Sequence, residues 1–122
     1  QEQDPLKRVY AYVDGMAKMI SDPSTKGCLL GCFSQELCDS DPKMRAACGE
    51  GFEAWAKHLG AEMARAKALY APKAAFDPME LATHFIAIME GSLILDKAAG
   101  DRRAGAANLK HFKAYLKMLY GR

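Results

Sequence analysis

The stretch from Pro78 to Ala98, "PMELATHFIAIMEGSLILDKA", decides how this chain folds. Asp77-Pro78 opens it with a strong helix cap followed by a residue suited to the first helical position, and Glu80 three residues later completes a capping-box pattern. Inside the stretch, Leu81, Phe85, Ile88 and Leu95 fall on one side of a helix. Ala82, Ile86, Met89 and Leu93 fall on others. A helix that is apolar all round has to be covered all round.

The next segment poses the same problem. After the stop at Gly100, residues 102–120 read as a helix with Leu109, Phe112, Leu116 and Leu119 on one stripe and His111, Tyr115 and Met118 on its neighbour. Upstream, the sequence predicts a helix over 5–20 with Leu6, Val9, Tyr10, Val13, Ala17 and Ile20 on its stripe, and a shorter one over 25–38. The longest is predicted over 42–70, where Met44, Cys48, Phe52, Trp55, Leu59, Met63, Ala66 and Tyr70 recur at steps of three and four along about 43 Å. Four Asp-Pro dipeptides, at Asp4, Asp22, Asp41 and Asp77, punctuate the chain, and at least three of them are expected to start helices. No stretch alternates with period two, so the fold class is all-α with five helices in a single domain spanning residues 1–122.

Three upstream helices can cover one side of the last pair, and a chain of 122 residues has little left for the other. The simplest solution is a second copy, with two helices from each subunit forming a four-helix bundle across a two-fold axis. Its interface is assigned to Leu81, Phe85, Ser92 and Leu95 of the fourth helix and Leu109, Phe112, Leu116 and Leu119 of the fifth, with Gly91 and Ser92 allowing close backbone approach. A monomer that buries both faces internally is the alternative.

Aromatic and methionine side chains from several helices converge in the remaining core. Tyr12, Met16, Phe33, Trp55, Leu59, Met63, His84 and Ile88 form a candidate pocket for an apolar ligand, a role that mobile methionines suit as well as they suit a loose core. His84 could donate to such a ligand or be satisfied by core and interface neighbours. His58 reads as a surface residue, and His111 as an interface residue. Glu90 needs a partner if it is buried.

Cys28, Cys32, Cys38 and Cys48 are separated by three, five and nine residues. This is neither the two-residue gap of redox motifs nor a zinc spacing, so packing is the simplest reading and no metal or cofactor is assigned. Cys28 and Cys32 do share a helix face and could hold a soft ion or an arsenical, and Cys32 is the candidate for a reactive thiol.

At "KGCLLGCFSQELCDSDPKMRAACGEGFEAWAKHL" the chain becomes recognisable. The run Gly27-Cys28-Leu29-Leu30-Gly31, then Gln35-Glu36-Leu37, Asp41-Pro42, Arg45, Phe52 and Trp55, resembles the C-terminal domain of tetracycline-repressor (TetR) family transcriptional regulators. "DPMELATHFIAIMEGSLILDKAAGD" resembles that domain's penultimate helix. The resemblance implies a sensor half that binds a small effector and dimerises through its last two helices, with operator DNA read only by an N-terminal helix-turn-helix that is absent from these residues. The opening "QEQDP", with no initiator methionine, fits a piece of a longer regulator.

The totals exclude little else. Net charge is +2, and Lys110, Lys113 and Lys117 read as a solvated stripe with no call for direct nucleic-acid contact. No apolar run is long enough to span a bilayer and no signal-peptide pattern opens the chain, so a soluble, cytoplasmic protein is expected. No nucleophile, base and orienter stand in a recognisable motif, which argues against an enzyme. A stand-alone helical module, sensing through thiols or metal or binding another protein, is the rival reading.

Overall fold

The computed structural model describes all 122 residues and is built from five helices: α1 Pro5–Ser21, α2 Leu29–Leu37, α3 Pro42–Tyr70, α4 Pro78–Ala99 and α5 Arg103–Tyr120. Three of the Asp-Pro pairs do what their chemistry dictates. Asp4, Asp41 and Asp77 sit in extended backbone just before α1, α3 and α4, and each carboxylate accepts from the amides two and three residues on. The fourth pair ends a helix instead. Asp22 closes α1, and its carboxylate turns to the amide and hydroxyl of Ser24.

The second helix begins later than its sequence pattern predicts, at Leu29 and not near residue 25. Gly27 holds φ at +127°, a conformation that only glycine adopts readily, and this breaks the chain direction just before Cys28. α2 is also the least embedded helix: none of its residues is buried.

The core lies between α1, α3, α4 and α5. Leu6, Val9, Val13 and Ile20 enter from α1, Leu59, Met63 and Ala66 from α3, Leu81, Phe85 and Met89 from α4, and Leu109, Phe112, Leu116 and Tyr120 from α5. Phe85 lies at its centre, with ring centroids 5.2 Å from Phe112 and 5.8 Å from Tyr12. One buried hydroxyl is tied to backbone. Tyr120 donates to the Met63 carbonyl at 2.8 Å, and burial pushes its phenol up to about 12.

Two devices join the last helices to the first. Asp96 is buried near the end of α4, and its carboxylate accepts from the Gly105 amide at 3.0 Å, so α4 caps the first turn of α5. A side chain at Gly105 would overlap that carboxylate and Ile20, which is why the contact needs glycine. Arg102 donates to the carbonyls of Ile20, Pro23 and Thr25 and thereby holds the α1–α2 connection against the α4–α5 turn.

This packing corrects most of the interface expected from the sequence. Leu81, Phe85, Leu109 and Leu116 are buried inside one chain; Phe112 is buried too, although it also lines the outer cavity between the last two helices. α1 and α3 already cover that side of the last two helices, because their own stripes need it. Ser92 is buried as well, its hydroxyl accepting from Asn108 Nδ2 at 3.1 Å, and Leu119 packs partly against the core. Of the eight residues, only Leu95 stands mostly exposed.

Candidate ligand groove and dimerisation face

Six of the eight residues expected to form a pocket come together. Tyr12 and Met16 from α1, Trp55, Leu59 and Met63 from α3 and Ile88 from α4 belong to or pack against one cluster. Trp55 Nε1 donates to the Tyr12 hydroxyl at 2.7 Å, so two half-buried aromatics satisfy each other's polar ends, and Phe52 stacks on Trp55 at 6.4 Å. Burial raises the Tyr12 phenol while the Trp55 hydrogen bond opposes it. Phe33, half-buried on α2, lies outside this cluster.

A groove of about 520 Å³ opens beside the aromatic pair, between α1 and α3. Val9, Ala11, Tyr12 and Leu59 form its apolar floor, with His58, Arg8 and Glu62 at the edge. Arg8 pairs with Glu62 at 2.7 Å, and Glu62 also meets Arg65. The chemistry on offer is a wide apolar surface with one phenol and one ion pair. Met63 is fully buried beneath it and does not line it.

His84 stands apart from this cluster, and Ile88 packs on it from one side while its other side faces out with His84. They line a cavity of about 430 Å³ on the outer side of α4 and α5, with Gly91 and Leu95 from α4 and His111 and Tyr115 from α5. The His84 ring lies 5.9 Å from Phe112 and 6.2 Å from Tyr115. His84, Ile88, Gly91 and Leu95 recur at steps of three and four along α4, with Ala87 beside them, and Asn108, His111, Tyr115 and Met118 do so along α5. The outer face therefore carries a second helical stripe, in which small, aromatic and imidazole side chains are mixed with Ile88, Leu95 and Met118. Met118 is 81% and Leu95 54% exposed on it. A Cβ built on Gly91 would meet nothing within 4 Å, so nothing inside the chain requires that glycine.

The sequence matches the family described as tetracyclin repressor-like, C-terminal domain, over residues 5–112. The chain belongs to this family. It is thus the regulatory domain of a TetR-family transcriptional regulator, a class of regulators and not of enzymes, and none of its helices is long and apolar enough to cross a membrane. No curated protein and no solved structure matches it.

One further cluster unites residues that the sequence named separately: Cys28, Cys32 and Glu90. Glu90 points from α4 to the first turn of α2, where a side chain at Gly31 would overlap its Oε1. Its Oε2 is buried with no hydrogen-bond partner. Burial raises the Glu90 carboxyl, and the Cys28 thiol beside it acts in the opposite direction. Burial also raises the Cys28 thiol, and Glu90 adds to that effect. Cys48 alone packs as a buried core cysteine, whereas Cys28 and Cys38 are half-buried and Cys32 is exposed. The signal in the sequence was Gly31, a glycine inside a helix with no turn to explain it.

Proposed function

We propose that this domain senses a small, largely apolar effector and transmits its binding to DNA-binding heads through a homodimer formed by the outer faces of α4 and α5. The observation that carries the reading is the apolar α1–α3 groove, floored by Tyr12 and Leu59, which lies next to the Tyr12–Trp55 hydrogen bond joining the two helices. An effector seated there touches both helices and favours whichever arrangement of them offers the better contacts. Its differential affinity, about 1–3 kcal/mol in typical allosteric coupling, would alter operator affinity roughly 5- to 150-fold in the full regulator. Tyr12, Trp55 and Leu59 are the proposed effector residues, with Met16 and Met63 as adaptable packing behind them.

The open stripe supports the proposed dimer. Leu95 and Met118 are costly to leave in water, and Gly91 permits two α4 helices to approach closely. His84 and Ile88 are proposed as interface residues and not as effector residues, because they line that face.

The single tryptophan makes the test direct, since Trp55 is the chain's only indole. Titrating a panel of apolar compounds with phenol-accepting groups should shift Trp55 emission saturably for at least one class, and Tyr12→Ala or Leu59→Ala should weaken that response. Saturable ligands whose binding ignores both substitutions would move the site away from this groove.

A further inference from the structure

The cleft between α2 and α4 holds two thiols, a carboxylate and an apolar rim that the effector groove and the dimer face do not use. Cys28, Cys32, Gly31 and Glu90 line it, Leu93 and Ile94 form its outer wall, and Lys26 and Lys97 are the other charged groups that face it. Cys28 is the N-cap of α2 and Cys32 lies one turn on, its amide donating to the Cys28 carbonyl at 2.9 Å. The Cys32 sulfur is directed back toward the helix start, 3.9 Å from where a Cβ on Gly27 would sit. Beside both stands Glu90 with its unpartnered, buried Oε2.

We infer that this cleft is a binding site for monosubstituted trivalent arsenicals, which bridge Cys28 and Cys32. Position selects the ligand. Cys28 precedes α2 in extended backbone and Cys32 lies one turn into it, and both are free thiols lining the same cleft. A single large, thiophilic atom bridges two such thiols without bringing their Cβ atoms to the roughly 3.5–4.5 Å that a disulfide needs, and thiolates are the ligands that soft centres prefer. The number of thiols selects further. Glu90 is the one further candidate ligand beside them, and no group of three cysteine, histidine or carboxylate side chains is placed to hold a metal ion. An arsenic centre that already carries one organic group needs only two thiolates, so the cleft suits it better than inorganic arsenite. The cavity itself is only about 50 Å³, which leaves the organic group on the rim against Leu93 and the exposed Ile94.

The chemistry balances without a redox step. Two thiols and one R–As=O give two As–S bonds and one water, and arsenic stays trivalent throughout. Glu90, as its carboxylate, receives the Cys28 proton as the sulfur attacks, then returns it to the departing oxygen. Glu90 is a positioning and proton-holding residue here and is not bonded to arsenic.

The test uses the reduced 122-residue chain and phenylarsine oxide. The expected product is a one-to-one adduct, seen by mass spectrometry as one phenylarsine unit gained with loss of water. It should protect two thiols from alkylation and be removed by a dithiol but not by a monothiol. Cys28→Ser or Cys32→Ser should each weaken binding by roughly 10²- to 10⁴-fold, the loss expected when a two-point attachment becomes one-point. Serine is itself a good N-cap, so Cys28→Ser leaves α2 its start. Cys38→Ser should have no effect. Glu90→Gln should keep the stoichiometry but slow adduct formation and flatten its dependence on pH. An adduct that survives loss of Cys28 or Cys32, that requires Cys38, or that a monothiol removes would overturn the site, as would arsenite or zinc binding as tightly as phenylarsine oxide. An unchanged rate profile in Glu90→Gln would remove Glu90 from it.

Discussion

Trp55 Nε1 donates to the Tyr12 hydroxyl across 2.7 Å, and this is a side-chain hydrogen bond joining α3 to α1 at the edge of the proposed effector groove. Tyr12→Phe keeps the ring against Phe85 but leaves the half-buried indole N–H without its partner. We expect a loss of about 1–2 kcal/mol in unfolding free energy, with a change in Trp55 emission in the folded state. Chemical denaturation followed by fluorescence measures both. Unchanged stability and emission would mean that water replaces the tyrosine freely, and the bond would then tell nothing about the coupling of α1 to α3.

The inner and outer faces of α4 predict opposite behaviour. Phe85→Ala hollows the core and should cost about 3–5 kcal/mol, whatever the oligomeric state. Gly91→Lys should do no harm to the subunit, because a Cβ there meets nothing and leaving glycine raises helix propensity by up to about 1 kcal/mol. In the proposed dimer it would place two lysines at the closest approach of two helices. Sedimentation should therefore show a folded monomer with a thermal midpoint no lower than that of the dissociated parent. A Gly91→Lys protein that sediments as the parent does would exclude this face as the interface.

These contrasts also show what was legible in the sequence. Helix starts were, because Asp-Pro writes a cap and a first-turn residue into adjacent positions, and Asp4, Asp41 and Asp77 all acted on it. Asp22-Pro23 has the same two letters and ends a helix; only its surroundings tell the difference. The orientation of α4 was not legible. Both of its sides are apolar, so Leu81 and Phe85 could be placed in the core or against a partner with equal justice, and the choice belongs to α1 and α3. The open stripe was partly legible: Gly91, Leu95 and His111 were read at an interface, whereas His84 and Ile88 were placed in the effector pocket because their apolar neighbours suit either site. Tyr12 was assigned to a ligand site with Trp55, and the hydrogen bond between them is a feature that spacing alone cannot reveal.

Asp96 and Gly105 make a second pair whose energetics run against simple propensity. Asp96 is 3% exposed and caps α5 from a neighbouring helix. Asp96→Ala should cost about 1–3 kcal/mol by leaving a buried amide unpaired. Gly105→Ala would ordinarily stabilise a helix by about 1 kcal/mol. Here the added methyl meets both Asp96 Oδ2 and Ile20 Cδ1, and overpacking costs typically about 1–3 kcal/mol. A lowered midpoint in Gly105→Ala, read by calorimetry, is the expected result; a raised one would show that the α4–α5 turn relaxes without resistance.

Glu90 predicts a pH dependence of definite sign. Its carboxyl is raised in the folded protein, chiefly by burial, so the folded state holds the proton more tightly than the unfolded chain does. Stability is then fully present below the ordinary carboxylate range and declines as pH rises from that range through the raised value. Above it, Glu90 is a half-buried carboxylate with an unpartnered oxygen. Glu90→Gln keeps the shape and removes the charge. Urea unfolding from pH 4 to pH 8 should find the variant gaining on the parent as pH increases, with the two converging at the acid end. A difference that does not vary with pH would place Glu90 in a solvated environment and would remove the reason to regard its neighbour Cys28 as sharing a proton with it.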